Sequence, residues 1–299
     1  MISGDVLAAM RARLTAALAP PRRHYRPLWV ERRAAGWLDD ARAARLAPMT
    51  DVFAVRDDGV SFVAGLADVP ARSHALDRAA RLLAGSGDLT PWRDERYAAA
   101  PDFGAAPWFE LERAAARFFG IHTYAVHVNG LVRRDDGVAM WIARRSPTKA
   151  IDPGMLDNLV GGGIAAGQSV AAALTREARE EAGVAAALAQ RAQPAGVVHL
   201  CREQPDGLQR ETIFVHDLWL PADFVPEGED GEVVEHRLVP LPAAARLIAN
   251  GDGPDTVTTD AALVVLDCLL RHGAIAPDSP GYLALDALRR PAVNLRTHR

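Results

Sequence analysis

Three carboxylates fall within one helical turn in Arg176-Glu177-Ala178-Arg179-Glu180-Glu181-Ala182-Gly183-Val184. In a helix Glu177 meets Glu180 at i+3 and Glu181 at i+4, so the acids share a face. Ala171, Leu174, Ala178 and Ala182 make the other face, small enough to pack closely on a sheet. Like charges at this spacing repel by roughly 0.2–0.5 kcal/mol per pair when exposed, and by more when buried. Mg²⁺ or Mn²⁺ would relieve that repulsion, because hard cations take carboxylate oxygens and leave positions open for phosphate oxygens. A solvated acidic helix is the plain alternative for the acids alone. What favours chemistry is the surrounding pattern. Gly161, Gly162 and Gly163 let backbone approach a ligand or metal closely, offering carbonyl ligands and amides that face phosphate. Gly183 suits the helix stop.

The elements that must position this helix follow from pattern. The spacing predicts a helix over Asp5 to Leu18 and leaves an apolar patch around Leu28, Trp29, Val30 and Trp37. It predicts a hairpin from Asp51 to Val63 through Asp57-Asp58-Gly59, a helix from Ser73 to Leu83, and a connector helix from Trp108 to Phe119. The boundary between two domains is drawn at 118/119, after the Pro- and Gly-bearing stretch Pro101 to Pro107. Strands are expected at Tyr124–Val128, Ala139–Ala143, Gly196–Leu200, Glu211–Leu220 and His236–Val239. Helices are expected at Ser169–Ala182, Pro242–Ala249 and Thr258–Leu270. Strands flanking a loop and helix, closed by C-terminal helices, give an α/β arrangement with a mixed sheet between helices.

Composition excludes several classes. A hydrophobic content of 49% with 24% charged residues is globular. Net charge is −4, with no basic tract and a single lysine, Lys149, which argues against a nucleic-acid partner held through phosphates. No segment has the run of about 20 apolar residues that a membrane helix needs. Cys201 and Cys268 are too few for a disulfide framework or cysteine metal site. Without a signal-like N-terminus, the expected location is cytoplasmic.

The stretch Gly162 to Val184 resembles the Nudix box: Gly, five residues, Glu, seven residues, then Arg-Glu-apolar-x-Glu-Glu-x-Gly-apolar. Gly162, Arg176, Glu177, Ala178, Glu180, Glu181, Gly183 and Val184 match in register, while Gln168 stands where the family has its first Glu. That acid usually braces the box arginine, and Gln168 could accept a hydrogen bond from Arg176 without its charge-assisted part. The resemblance implies a Nudix α/β/α sandwich preceded by a smaller α+β N-terminal domain. It implies attack of a metal-activated water on phosphorus, with Glu177, Glu180 and Glu181 holding the metal, Gly162 beside it, and Arg176 in the catalytic set. Glu232, in a later acidic loop, is the candidate for the further acid that such enzymes often add.

Longer phrases resemble a Nudix subgroup related to the Nudix half of fungal thiamine pyrophosphokinase fusions. They are Phe119 to Gly130, Met140 to Ser146 with Lys149, Pro153 to Asn158, Gly207 to Glu211, and Asp230 to Val233. The implied substrate is thiamine diphosphate or an oxidised or damaged analogue, cut to the monophosphate. Arg144, Arg145 and Lys149 could reach the diphosphate, or be surface charge. Trp141 could stack on a cationic ring, or be core. His127, Asn129, Gln209 and Arg210 are candidate pocket groups, or satisfied strand-end and loop residues. The N-terminal domain would wall the site or serve as a homodimerisation element. ADP-ribose-like nucleoside diphosphates, nucleoside triphosphates and a non-catalytic ligand sensor are the competing readings, with a Nudix isomerase a further one.

Overall fold

The computed structural model describes residues 2–229, 231–291 and 295. Helix α1 (Gly4–Ala17) buries Leu7, Met10 and Leu14 on one face. The apolar patch that follows is a hairpin: β1 (Tyr25–Val30) pairs antiparallel with β2 (Arg33–Asp39). Asp39 caps α2 (Asp40–Leu46) by accepting from the Arg42 N–H. Next come β3 (Phe53–Arg56) and β4 (Gly59–Phe62), the hairpin that Asp57-Asp58-Gly59 predicts, and helix α3 (Val69–Gly85). The strands form a sheet ordered β2-β1-β4-β3 over a core that includes Leu28, Leu38, Val60 and Leu76. A two-stranded ribbon, β5 (Arg96–Ala99) with β6 (Phe109–Glu112), completes this region.

The β6 strand corrects the expected Trp108–Phe119 helix. Phe109 and Leu111 are buried alternately, and a 3-10 turn over Arg113–Ala115 follows. Such a short period-2 run is masked in sequence by the alanines after it.

The second region begins with β7 (His122–Arg134) and β8 (Gly137–Arg145), then β9 (Leu156–Asn158) and β10 (Val160–Gly163). Helices α4 (Val170–Ala182) and α5 (Ala186–Ala189) lead to β11 (Gln193–Gln204), β12 (Gly207–Trp219) and β13 (Val233–Pro240). Helices α6 (Leu241–Ala249), α7 (Thr259–Arg271) and α8 (Tyr282–Leu288) follow. The sheet runs β11-β12-β7-β8-β13, with β10 on β7 and β9 on β8. It is mixed because β12 runs parallel to β7 while its other pairings are antiparallel. On one face Val126, Val128 and Trp141 meet Ala173, Leu174, Ala178 and Ala182 of α4. On the other, Leu131, Met140 and Ile142 meet α6 and α7. This is the α/β/α sandwich with an N-terminal domain that the resemblance implies.

Residues Ala261 to Leu270 of α7 are buried without a break. Each large apolar side chain so buried contributes about 1.5–3 kcal/mol, which makes α7 the main anchor of that layer. Helix α1 also packs here, against α6, α7 and α8. Among the described residues no helix is long and apolar enough to cross a membrane.

Candidate active site

Helix α4 is built to present its acids inward. Ser169 caps it by accepting from the Ala172 N–H, and Gly183 ends it at φ 62°. A left-handed terminus of this kind favours glycine. Glu177 and Glu181, four residues apart, lie on the buried face and are only 9% and 5% exposed. Glu180 does not join them: it sits at the helix edge, where its Oε2 accepts from Arg176 at 2.9 Å. Arg176 also donates to Glu177 Oε1 at 2.7 Å.

The three glycines lie in strand β10 rather than in a turn, and their value is close approach. A Cβ on Gly162 would stand 2.1 Å from Glu177 Oε1. On Gly161 it would meet the His127 ring at 2.8 Å, and on Gly163 the Tyr97 hydroxyl at 1.8 Å. The Gly161 N–H donates to Glu181 Oε2 at 2.8 Å. Lys149 Nζ stands between two acids, 3.2 Å from Glu181 Oε1 and 2.5 Å from Glu232 Oε2. Burial nevertheless pushes the Glu181 carboxyl up to about 8, outweighing Lys149 and the amide, and it raises Glu177 as well. Glu232, more exposed, is raised by burial but held below the usual carboxylate range by its contact with Lys149 together with the charges of nearby arginines.

Lys149, Glu232, Tyr97 and the three glycines border a cleft of about 510 Å³ between the two regions, which Glu177 and Glu181 approach only through Gly162 and Gly161. Its second-region wall includes Arg145, Lys149, Gly161, Gly162, Gly163 and Glu232, and His127. Across it stand Arg93, Tyr97, Arg113 and Arg117 of the first region. The floor is acidic. Gln209 Nε2 donates to Glu211 Oε2 and Asp260 Oδ2, each at 3.0 Å. Asp260 also takes Arg202 at 3.2 Å, and Asp152 lines the same space. Burial, reinforced by the negative charge of Asp260, raises the Glu211 carboxyl. His127 enters through Nδ1, 2.7 Å from Asn158 Oδ1.

Several residues proposed from sequence lie elsewhere. Trp141 packs in the core beneath α4, and its buried indole nitrogen has no partner. Arg144 points from the opposite face of β8, paired with Glu235 at 2.7 Å and Asp255 at 2.5 Å. Alternation along a strand separates it from Arg145. Asn129 donates to buried Asp217 at 3.0 Å. Arg210 donates weakly to the Gly120 carbonyl at 3.4 Å and lines an adjoining cavity of about 420 Å³. Gln168 accepts from the Ala165 N–H at 3.3 Å, so it braces its own loop and not Arg176. Sequence reasoning missed Tyr97, Arg113, Arg117, Glu211 and Asp260. Only Glu211 had a signal, as a member of the phrase Gly207 to Glu211.

A divalent cation fits this place on two counts. Two buried carboxylates carry less compensation than their burial demands, and a Cβ-free strand leaves Glu177 lying directly against the backbone.

Comparison with known proteins gives the family. A family model described as "NUDIX domain" matches residues 123–259, and one described as "Domain of unknown function (DUF4743)" matches residues 9–123. Nudix hydrolase 24, chloroplastic, of Arabidopsis thaliana is 38% identical over 261 residues, 87% of this chain and 71% of that protein. Nudix hydrolase 20, chloroplastic, of the same plant is 41% identical over 214 residues. That match takes in 72% of this chain and 56% of the relative, so the chain spans little more than half its length. A solved structure from Deinococcus radiodurans is 27% identical, covering 49% of this chain and 82% of that one at a TM-score of 0.38. The chain belongs to the Nudix hydrolase family. It is an enzyme of the pyrophosphohydrolase class.

Proposed function

We propose that the cleft hydrolyses the phosphoanhydride bond of a small organic diphosphate whose other end is cationic, thiamine diphosphate or an oxidised or damaged analogue, releasing the monophosphate. The observation that carries this reading is the polarity of the cleft. Lys149, Glu232 and the glycine strand that carries Glu177 and Glu181 against it make one end, and Glu211, Gln209 and Asp260 form the floor of the other. A cationic ring bearing amino donors would add positive charge to a floor where two carboxylates share the donors Gln209 and Arg202, whereas an anionic group would be repelled there.

Glu177 and Glu181 would hold Mg²⁺ or Mn²⁺, with Glu232 closing the set. When bound, the ion supplies Lewis acidity toward the phosphate oxygens and toward the attacking water. The rest is this chain's work. The Gly161 N–H fixes Glu181 through Oε2, leaving Oε1 toward Lys149. Arg176 aligns Glu177 and holds Glu180 at the edge. His127, tied to Asn158, is a wall group between the two ends. Cytoplasmic residence belongs to this proposal and not to the comparisons, whose two plant relatives are named chloroplastic.

Phosphate release tests the reading. Thiamine diphosphate, its oxidised analogues, ADP-ribose and nucleoside triphosphates are compared with Mg²⁺ and with chelator. The thiamine series is expected to give the highest kcat/KM, and Glu211→Gln to lower it by about 10-fold or more through KM. Faster turnover of ADP-ribose or a nucleoside triphosphate would transfer the assignment to nucleotides.

A further inference from the structure

We infer that the N-terminal domain is part of the active site, and that Arg113 contacts the substrate's diphosphate from across the cleft. This rests on the reading above that the cleft takes a diphosphate, and it adds which wall recognises it. A diphosphate brings more negative charge than one divalent ion cancels, so it calls for further cations with N–H groups to spare.

The second-region wall has few to give. Lys149 spans Glu181 and Glu232. Arg145 donates to Asp157 at 2.7 Å and to the carbonyls of Ile151 and Asp152. Arg144 is on the other face of its strand, already paired. Arg113 differs. It makes one ion pair, 2.6 Å to Glu95 Oε2, and lies 5.5 Å over the Tyr97 ring. A guanidinium has five N–H donors, and Arg113 shows no other side-chain hydrogen bond among the described residues. Its side chain is 38% exposed where it lines the cleft.

The mounting is rigid and aimed. Glu95 and the Tyr97 ring flank the guanidinium, and the Tyr97 hydroxyl rests against Gly163, next to Gly162 and Glu177. Arg113 and Tyr97 line the cleft together with Gly162 and Gly163, which puts the guanidinium at the glycine end. Arg117, four residues on, lines the same cleft and is paired with Asp206 at 3.4 Å. The 3-10 turn after β6 thus carries Arg113 to the cleft wall. A plain structural ion pair with Glu95 would need neither the free donors nor the opening to the cleft.

The test is calorimetric titration with magnesium imidodiphosphate, a diphosphate that resists hydrolysis, and separately with Mn²⁺ alone. Arg113→Met is expected to raise the Kd for imidodiphosphate about 10- to 100-fold. The Kd for Mn²⁺ should stay within about threefold and the unfolding midpoint should hold, because the metal carboxylates are untouched. Glu95→Gln and Arg117→Met are expected to change imidodiphosphate binding much less. Arg113→Lys should recover part of the affinity, since the charge returns without the fork. A folded Arg113→Met that binds imidodiphosphate like wild type overturns the inference. If Arg113→Met does not fold, Arg113→Lys decides: weaker binding than wild type supports the contact, and equal binding overturns it. Wild-type protein that fails to bind magnesium imidodiphosphate would instead bring down the diphosphate reading itself.

Discussion

Two buried acid clusters lie in the same domain, and they are compensated in opposite ways. At the far end of β12, Asp217 accepts from Arg271 at 2.6 and 2.9 Å, from Asn129 at 3.0 Å, and faces His272 Nε2 at 2.7 Å. Asp267 accepts from Arg271 at 2.6 Å and Arg289 at 2.7 Å. Despite its burial, Asp217 is held below the usual carboxylate range by these donors. Asp217, Cys268 and His272 lie close enough to suggest a metal set. Yet two guanidiniums already supply the positive charge there, and burial pushes the Cys268 thiol far up, away from the thiolate a metal needs. Around Glu177 and Glu181 the balance reverses, and both carboxyls are raised. Buried acids with complete partners hold a fold together; buried acids left short of partners are poised to take a cation.

The comparison is broken most severely at the closed cluster. Arg271→Ala strands Asp217 and Asp267 without their shared partner and is expected to cost about 3 kcal/mol or more in denaturant unfolding. The turnover of the remaining folded enzyme should be unchanged. Activity lost in proportion beyond the unfolded fraction would tie that cluster to function.

The reciprocal change is Glu181→Gln, expected to lower kcat at least about 10²-fold with Mg²⁺ while the fold below neutral pH stays intact. Near-normal rates in this variant would remove α4 from the chemistry.

Acidity sharpens the contrast. With metal chelated, folded Glu181 keeps a proton up to about 8, whereas the unfolded chain releases it near the ordinary value of 4.5. Between those values the native state binds more protons, so stability falls as pH rises across that window. A loss of roughly 5 °C or more in the melting midpoint is expected from pH 5 to 8, by linkage and the size of a domain's unfolding entropy. Mg²⁺ or Glu181→Gln should flatten the trend. Asp217, whose carboxyl is lowered, contributes the opposite sign at the acid end: its stabilisation is lost as pH falls below the usual aspartate range.

The smallest effect is expected at Gln168. Because it braces only Ala165, Gln168→Glu should shift stability by less than about 0.5 kcal/mol, as ordinary loop substitutions do. Recruitment of Arg176 by the new carboxylate would show as a clear gain in melting midpoint.

What could be read in the residues was local. The acids of α4, its Gly183 stop, the Asp-Gly hairpin and the periodic helices α3, α6 and α7 all follow from neighbours within a few positions, where spacing and backbone preference decide. β6 is not legible in the same way, because four residues of alternation are outweighed by the alanines that follow.

By itself, then, the sequence determined that an acidic helix with a glycine strand before it would form, and to which family the chain belongs. Only tertiary structure decided that Glu180 stays at the edge while Glu177 and Glu181 turn inward, that Lys149 is engaged by two acids, and that Arg144 faces away. It also decided that Arg113 from a preceding domain and Asp260 from α7 meet in one cleft. The physical reason is range: charge compensation and cleft walls come from residues brought together across the chain, and no spacing rule reaches that far.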